Sequence, residues 1–208
     1  MTARRSYGDS CGIARALDLV GERWALLVVR ELLLGPKRFS DLRGGLPNIS
    51  PDVLSQRLRE LEHAEVLRRV KLPPPAGSRV YELTERGREL EPVILALGRW
   101  GSGAPFPPEA AELGVDSMVL ALKTVFDPAA ADGLDGSYEL RLDGQPFRVR
   151  VSEGRLDVSG GNADDPEVTI DTDPATLSGV LWRGQSRRDL KIEGSSPAAR
   201  RFLGLFAA

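Results

Sequence analysis

The stretch from residue 36 to residue 86 constrains the fold of this chain more than any other. Within it, a short helix, a tight turn, a second helix with its own start signal and two basic strands follow one another. This is the order of a winged helix-turn-helix, whose second helix has a size that the major groove of DNA admits. The sequence therefore predicts a winged helix-turn-helix that contacts double-stranded DNA.

The second helix of this stretch has a strong start signal and two chemically different faces. Ser50 is a good N-cap residue, and Pro51 at the first helical position supports the same boundary. Leu54, Leu58 and Leu61 recur at the spacing of one helical face, which we expect to be buried. The opposite face is polar and offers donors and acceptors to base edges, where Gln suits adenine and Arg suits guanine. The predicted base-contacting residues are Ser50, Asp52, Ser55, Gln56 and Arg59.

Six basic residues around this helix are candidates for contacts to DNA phosphates, which supply salt-dependent affinity without recognising sequence. Lys71 and Arg79 flank the predicted wing tip at residues 73–78, from which a hairpin reaches the backbone or the minor groove. Arg57 lies nearer the leucine face, so its alternative role is an ion pair with an acidic neighbour. Asp52 either accepts from cytosine or caps its own helix. The predicted phosphate-contacting residues are Lys37, Arg38, Arg43, Arg57, Lys71 and Arg79.

Charge is unevenly distributed along the chain. Residues 1–101 hold 17 Lys and Arg against 13 Asp and Glu, and residues 102–208 hold 11 against 17, which gives the net charge of −2. A basic half and an acidic half suggest that only the first half meets a polyphosphate. The alternative is ordinary variation of surface charge.

Composition excludes several classes of protein. One cysteine excludes an internal disulfide framework, and one histidine argues against a histidine metal site or a catalytic triad. No apolar run is long enough to span a bilayer, and the N-terminus lacks the apolar core of a signal peptide. We therefore expect a cytoplasmic protein, not an enzyme, with no membrane partner, metal, cofactor or catalytic residue.

A segment rich in Gly and Pro, residues 101–109, follows a helix that should run from Thr84 to Trp100 and predicts a linker. The predicted boundaries are a DNA-binding domain at 1–101, a linker at 102–112 and a second domain at 113–208. The second domain begins with a helix, continues through four strands with Asp143-Gly144 and Glu153-Gly154 as hairpin turns, and ends with helix, strand and helix. This order predicts an α+β domain in which helices cover one face of an antiparallel sheet.

Many residues of the first domain carry a family resemblance at fixed spacings: Cys11-Gly-Ile13, Leu17-Asp18, Gly21-Glu-Arg-Trp24, Leu26-Leu27, Arg30-Glu31-Leu32, the run 35–42, Ile49-Ser50-Pro51, Leu54, the run 56–62 and the run 81–87. On these residues, over about 11–100, the chain resembles the HxlR family of bacterial winged-helix transcription regulators. The resemblance implies a dimer related to the MarR type, with contacts from the first and last helices. It also aligns Cys11 with a cysteine that some members use as a redox or electrophile sensor. The alternative for Cys11 is a small apolar residue packed at the dimer interface.

The order of elements in the second domain, together with the run Asp171-Thr-Asp173-Pro174-Ala175-Thr176-Leu177, resembles a sterol-carrier-protein-like domain. That resemblance would imply a lipid or another hydrophobic ligand between the sheet and its helices. Large apolar residues of this domain would then line a pocket, and the alternative is that they fill a solid core. The predicted pocket residues are Met118, Leu122, Phe126, Tyr138, Phe147, Trp182 and Phe202.

These observations predict a homodimeric transcription regulator that places two recognition helices in successive major grooves of a pseudo-palindromic operator. A hydrophobic effector in the second domain would change its affinity for DNA. One alternative is a redox- or electrophile-sensing regulator in which Cys11 is the trigger and the second domain is a scaffold. A further alternative is a lipid-binding or protein-interaction module.

Overall fold

A computed structural model describes residues 6–73, 77–104 and 113–206 of the chain. The chain divides into two compact units, Met1–Ile94 and Leu95–Ala208. Part of the predicted wing tip, residues 74–76, and most of the predicted linker, residues 105–112, lie outside the described residues. Among the described residues, no helix is both long enough and apolar enough to cross a bilayer.

The first unit contains the predicted order of helices and strands. Its elements are α1 (Gly12–Val20), α2 (Ala25–Leu32), α3 (Phe39–Gly45), α4 (Pro51–His63), β1 (Leu67–Lys71), β2 (Arg79–Leu83) and α5 (Glu85–Arg88), and α6 (Glu91–Ser102) crosses the boundary between the units. The strands β1 and β2 form an antiparallel hairpin in which Lys71 lies opposite Arg79. A winged helix-turn-helix is therefore present in this unit, with α4 in the place of the recognition helix.

The predicted single helix from Thr84 to Trp100 is wrong, because the structure divides it into α5 and α6. Pro92 lies at the start of α6 and has no N–H to donate to the carbonyl group of Arg88. The proline ring would also clash with that carbonyl group in a continuous helix. The chain therefore ends one helix at Arg88 and begins the next at Glu91.

The leucine face of α4 lies in the core of the first unit. Ser50 caps the helix as predicted, since its Oγ accepts a hydrogen bond from the backbone N–H of Val53 at 3.3 Å. Leu54, Leu58 and Leu61 are at most 1% exposed and belong to a cluster that includes residues of α2 and α3. Each fully buried leucine contributes about 1.5–3 kcal/mol, so this face fixes which side of α4 remains accessible.

The second unit contains one five-stranded sheet with order β5-β4-β3-β6-β7. Its elements are α7 (Val115–Val125), β3 (Gly136–Leu142), β4 (Gln145–Ser152), β5 (Arg155–Gly160), β6 (Val168–Thr172), α8 (Pro174–Trp182), a 3₁₀ turn (Arg187–Asp189), β7 (Lys191–Gly194) and α9 (Ser196–Gly204). The turn residues Asp143-Gly144 and Glu153-Gly154 all have positive φ, as the predicted two-residue hairpins require. The predicted α+β class of the chain is therefore confirmed.

The prediction of a purely antiparallel sheet is wrong, because β3 and β6 are parallel and place Leu140 beside Ile170. Parallel neighbours need a crossover connection, which here is the segment 161–167 between β5 and β6. Two hydrogen bonds hold this segment against β3. The N–H of Ala163 donates to Oε2 of Glu139 at 2.7 Å, and the N–H of Glu167 donates to the carbonyl oxygen of Ser137 at 2.8 Å.

Candidate DNA interface

The side of α4 opposite the leucines carries a polar flank, which we define as Asp52, Ser55, Gln56, Arg59 and His63. Ser55 is half-buried and the other four residues are exposed. Ser50 is exposed too, although its hydroxyl already accepts the capping hydrogen bond. The structure therefore brings the predicted base-contacting residues together along one helix.

Gln56 is at the centre of a short hydrogen-bond chain on this flank. Its Nε2 donates to Oε1 of Glu60 at 2.5 Å, and its Oε1 accepts from Nη2 of Arg59 at 2.9 Å. Glu60 was not among the predicted site residues. The sequence signal for this contact is that Glu60 follows Gln56 by four residues, because side chains at i and i+4 are neighbours on a helix.

Arg57 adopts the alternative role that the sequence left open. Its side chain is 13% exposed, and its Nη1 lies 2.6 Å from Oε2 of Glu60 and 3.5 Å from Oε2 of Glu22. The ion pair with Glu22 connects α4 to the loop between α1 and α2, and the ion pair with Glu60 lies within α4. A phosphate contact by Arg57 remains a prediction, and it would have to compete with both carboxylates.

Lys37 is held by a buried carboxylate that the sequence analysis missed. Nζ of Lys37 lies 3.1 Å from Oε2 of Glu31, and Nη2 of Arg30 lies 2.7 Å from Oε1 of the same side chain. Glu31 is 1% exposed. The residues Arg30 and Glu31 interrupt the otherwise apolar α2, and a charge inside a buried helix is a signal for an ion pair.

Lys37 and Glu31 also make contacts to β2 and to α3. The backbone of Lys37 pairs with Tyr81 of β2 through hydrogen bonds of 2.9 and 2.8 Å. A Cβ atom on Gly45, the last residue of α3, would collide with the carboxylate of Glu31. The ion pairs of Glu31 with Arg30 and Lys37 therefore help to set the position of α3 and of the turn that leads into α4.

Four of the predicted phosphate-contacting residues are exposed cations, namely Arg38, Arg43, Lys71 and Arg79. Within residues 6–73, 77–104 and 113–206, none of them forms an ion pair. A fifth cation, Arg69, links the wing to α4 because its Nη2 lies 3.1 Å from Oε2 of Glu62. Its guanidinium carbon also lies 5.4 Å from the ring centre of Tyr81.

Cys11 precedes α1 and is exposed with a free thiol. The first helix also exposes Ile13 (73%) and Leu17 (43%). In α6, Val93, Leu97 and Trp100 share one face at helical spacing and are 52%, 47% and 81% exposed. Both helices thus leave apolar side chains uncovered in the single chain.

Five of the seven predicted pocket residues are buried, and Phe126 and Trp182 are half-buried. The rings of Tyr138 and Phe202 stack with centres 4.5 Å apart, and Nε1 of Trp182 donates to the carbonyl oxygen of Phe206 at 3.0 Å. The hydroxyl of Tyr138 is buried and has no hydrogen-bond partner within the part of the chain that the structure describes. Burial raises the pKa of Tyr138, and the negative charge of Glu167 raises it further.

Among the described residues, no group of three or more His, Cys, Asp and Glu side chains is placed to bind a metal ion.

Comparison with known proteins identifies similarity in the first half of the chain. The HxlR-like helix-turn-helix family matches residues 19–105. The transcriptional regulator YvaP of Bacillus subtilis is 39% identical over 88 residues, which are 42% of this chain and 82% of YvaP. The transcriptional regulator YodB of the same organism is 39% identical over 85 residues, which are 41% of this chain and 76% of YodB. The crystal structure of quinone-bound YodB is 34% identical and covers 44% of this chain and 97% of its own, with a TM-score of 0.39.

Proposed function

This chain belongs to the HxlR-like helix-turn-helix family of transcription regulators, and we propose that it binds a pseudo-palindromic DNA operator as a homodimer. Each protomer inserts α4 into a major groove and lays the β1–β2 wing against the DNA backbone. In a two-fold dimer the two recognition helices contact half-sites about 34–36 Å apart, which is one turn of the duplex.

The observation that carries this proposal is the accessible polar flank of α4, opposite a buried leucine face. Gln56 and Arg59 offer donors and acceptors to base edges, and Asp52 and Ser55 lie beside them. Arg38, Arg43, Lys71 and Arg79 are exposed and supply the contacts to phosphates. Lys37 is bound to Glu31, and a phosphate contact by Lys37 would have to compete with that carboxylate.

The homodimer is supported by the uncovered apolar side chains of α1 and α6. None of the twelve residues of α6 is buried, and Trp100 is 81% exposed. A large aromatic side chain gains much free energy when a partner covers it. A second copy of the chain presents the same helices, as a two-fold interface requires.

The second unit supports a role as the effector-binding part of the regulator. We assign to it a sterol-carrier-like arrangement in which a hydrophobic small molecule displaces part of the packed aromatic residues around Tyr138. Such an effector shifts the equilibrium between the DNA-binding and the non-binding state of the dimer only to the extent that its affinities for these two states differ.

The test is the affinity of the full-length protein for a duplex selected from a random library. Replacing Gln56 and Arg59 with Ala should weaken binding to the selected duplex by at least tenfold while leaving binding to an unrelated duplex within about threefold, because phosphate contacts supply most non-specific affinity. Arg155→Ala is the matched control, since it removes one exposed positive charge from β5. Unchanged affinity of the double variant for the selected duplex would refute the proposed base contacts.

Exposure of Cys11 favours a second candidate function, namely regulation by oxidants or electrophiles. In that case the thiol is the trigger and the second unit is a scaffold. The variant Cys11→Ser should then bind the operator normally and no longer lose DNA on treatment with an oxidant. A response to oxidant that survives the substitution would exclude this role.

A further inference from the structure

Among the described residues, the amide of Gln56 uses only half of its hydrogen-bonding capacity. Its nitrogen carries two hydrogens and donates one to Glu60, and its oxygen has two lone pairs and accepts one bond from Arg59. One donor and one acceptor therefore remain on the exposed flank. This is the pair that binds the N7 and N6 positions of adenine in the major groove.

The two neighbours also fix which way round the amide lies. A flipped amide would place its oxygen against the carboxylate of Glu60 and its nitrogen against the guanidinium of Arg59. Both contacts would then be repulsive, because they bring together two acceptors and two donors. The base pairs A·T and T·A present different patterns in the major groove, so an amide that cannot flip distinguishes them.

Val53 is an apolar residue at the edge of this polar flank. It lies in the first turn of α4, three residues before Gln56, and is 38% exposed. The first turn of a recognition helix is the part that contacts base edges. On a helix, residues three apart have Cβ atoms about 5–6 Å apart. This is less than the length of two base-pair steps of about 3.4 Å each, so Val53 and Gln56 reach positions within two base pairs of each other.

We infer that α4 recognises an adenine through Gln56, held in one orientation by Glu60 and Arg59, and a thymine methyl group through Val53 within two base pairs of it. This inference rests on the proposed binding of operator DNA. It makes Glu60 a positioning residue that determines specificity without contacting a base. It also predicts the composition of part of each half-site.

The first experiment selects duplexes with the full-length protein and then inverts single A·T pairs to T·A in one half-site. Wild-type protein should lose about tenfold affinity on inversion of the pair that Gln56 recognises. Glu60→Gln should reduce this loss to about threefold, because an amide at position 60 complements either orientation of Gln56 and only Arg59 then favours the original one. Glu65→Gln is the control, since it makes the same change of charge at an exposed residue just beyond α4 and should keep the preference.

The second experiment replaces single thymines of one half-site with deoxyuridine, which lacks only the 5-methyl group. One such replacement, within two base pairs of the adenine, should weaken wild-type binding about fourfold, the equivalent of about 0.8 kcal/mol for a buried methyl group. The variant Val53→Ala should lose most of this difference, because its shorter side chain contacts less of the methyl group. Thermal unfolding of each variant checks that it folds.

Three outcomes would each overturn the inference and leave the proposed function standing. They are selected half-sites without an adenine, an inversion preference as large in Glu60→Gln as in wild-type protein, and wild-type affinity insensitive to every deoxyuridine. A protein that binds no duplex would overturn both.

Discussion

Nζ of Lys37 lies 3.1 Å from Oε2 of Glu31, and that carboxylate is almost completely withdrawn from solvent. The contact joins the loop before α3 to the C-terminal end of α2. Removing the carboxylate would take away the counter-charge that Lys37 and Arg30 share in a partly buried region. The same contact therefore supports the fold and the placement of the turn before the recognition helix.

Glu31→Ala should lower the free energy of unfolding by roughly 2–4 kcal/mol, because two partly buried cations lose their counter-charge but keep a path to water. Denaturation by urea measures this change. Glu62→Ala is the matched control, because Glu62 forms an ion pair with Arg69 in which both side chains are more than one-third exposed. That variant should change stability by less than about 1 kcal/mol, and equal losses in the two variants would contradict the assigned role of Glu31.

Two adjacent glycines of α3 should respond in opposite directions to alanine. Gly45→Ala should destabilise the protein by roughly 1–3 kcal/mol, since its methyl group meets the carboxylate of Glu31. Gly44→Ala meets no atom within 4 Å and should stabilise the helix by about 0.5–1 kcal/mol. The pair of melting curves tests the packing of α3 against α2 directly, and a neutral Gly45→Ala would show that this packing is loose.

Basic residues that contact phosphate should differ from those that do not in the salt dependence of DNA binding. Lys71→Ala should reduce the slope of log affinity against log salt by about 0.9 per contact, or about twice that in a dimer. Arg57→Ala should leave the slope unchanged, because Arg57 is bound to Glu60 and Glu22. Binding titrations at several salt concentrations measure both slopes, and a reduced slope for Arg57→Ala would assign Arg57 to the backbone contact.

Tyr138→Phe should stabilise the second unit, because it removes a buried hydroxyl that has no partner among the described residues. We expect a gain of about 1–2 kcal/mol in the free energy of unfolding. Burial raises the folded-state pKa of Tyr138. The pH-dependent part of the free energy of unfolding that comes from this tyrosine is therefore fully present below the unfolded pKa of about 10, and it is lost as pH rises through the folded value. Wild-type protein should therefore lose stability above pH 10 more steeply than Tyr138→Phe, and parallel curves would contradict this assignment.

Asp173 caps α8, and the backbone N–H and the hydroxyl of Thr176 hold the pKa of its carboxyl below the ordinary value. Its contribution to stability is present above the unfolded pKa of about 3.9 and is lost as pH falls through the lower folded value. Asp173→Asn keeps a good cap without a titrating group, so its stability should fall less in this acid range. Asp173→Ala should cost about 1 kcal/mol at neutral pH, and chemical denaturation across pH compares the three proteins.

Local signals in the sequence were sufficient for most helices, strands and turns. Ser50 with Pro51 predicted the start of α4, and Asp143-Gly144 predicted a hairpin, because capping and turn geometry depend on adjacent residues. The break at Pro92 has a local signal as well, because proline lacks the N–H group that a continuous helix needs, although the apolar spacing on both sides favours one helix.

The sequence by itself determined the winged helix-turn-helix, the buried leucine face of α4 and the membership of its family. Only the tertiary structure decided that β6 lies parallel to β3, that Glu31 binds Lys37 across two elements, and that Arg57 is bound to Glu22. Periodicity identifies which face of an element is apolar, whereas the partner that covers it depends on how distant segments pack. Ion pairs between elements follow from that packing, and no spacing along the chain records them.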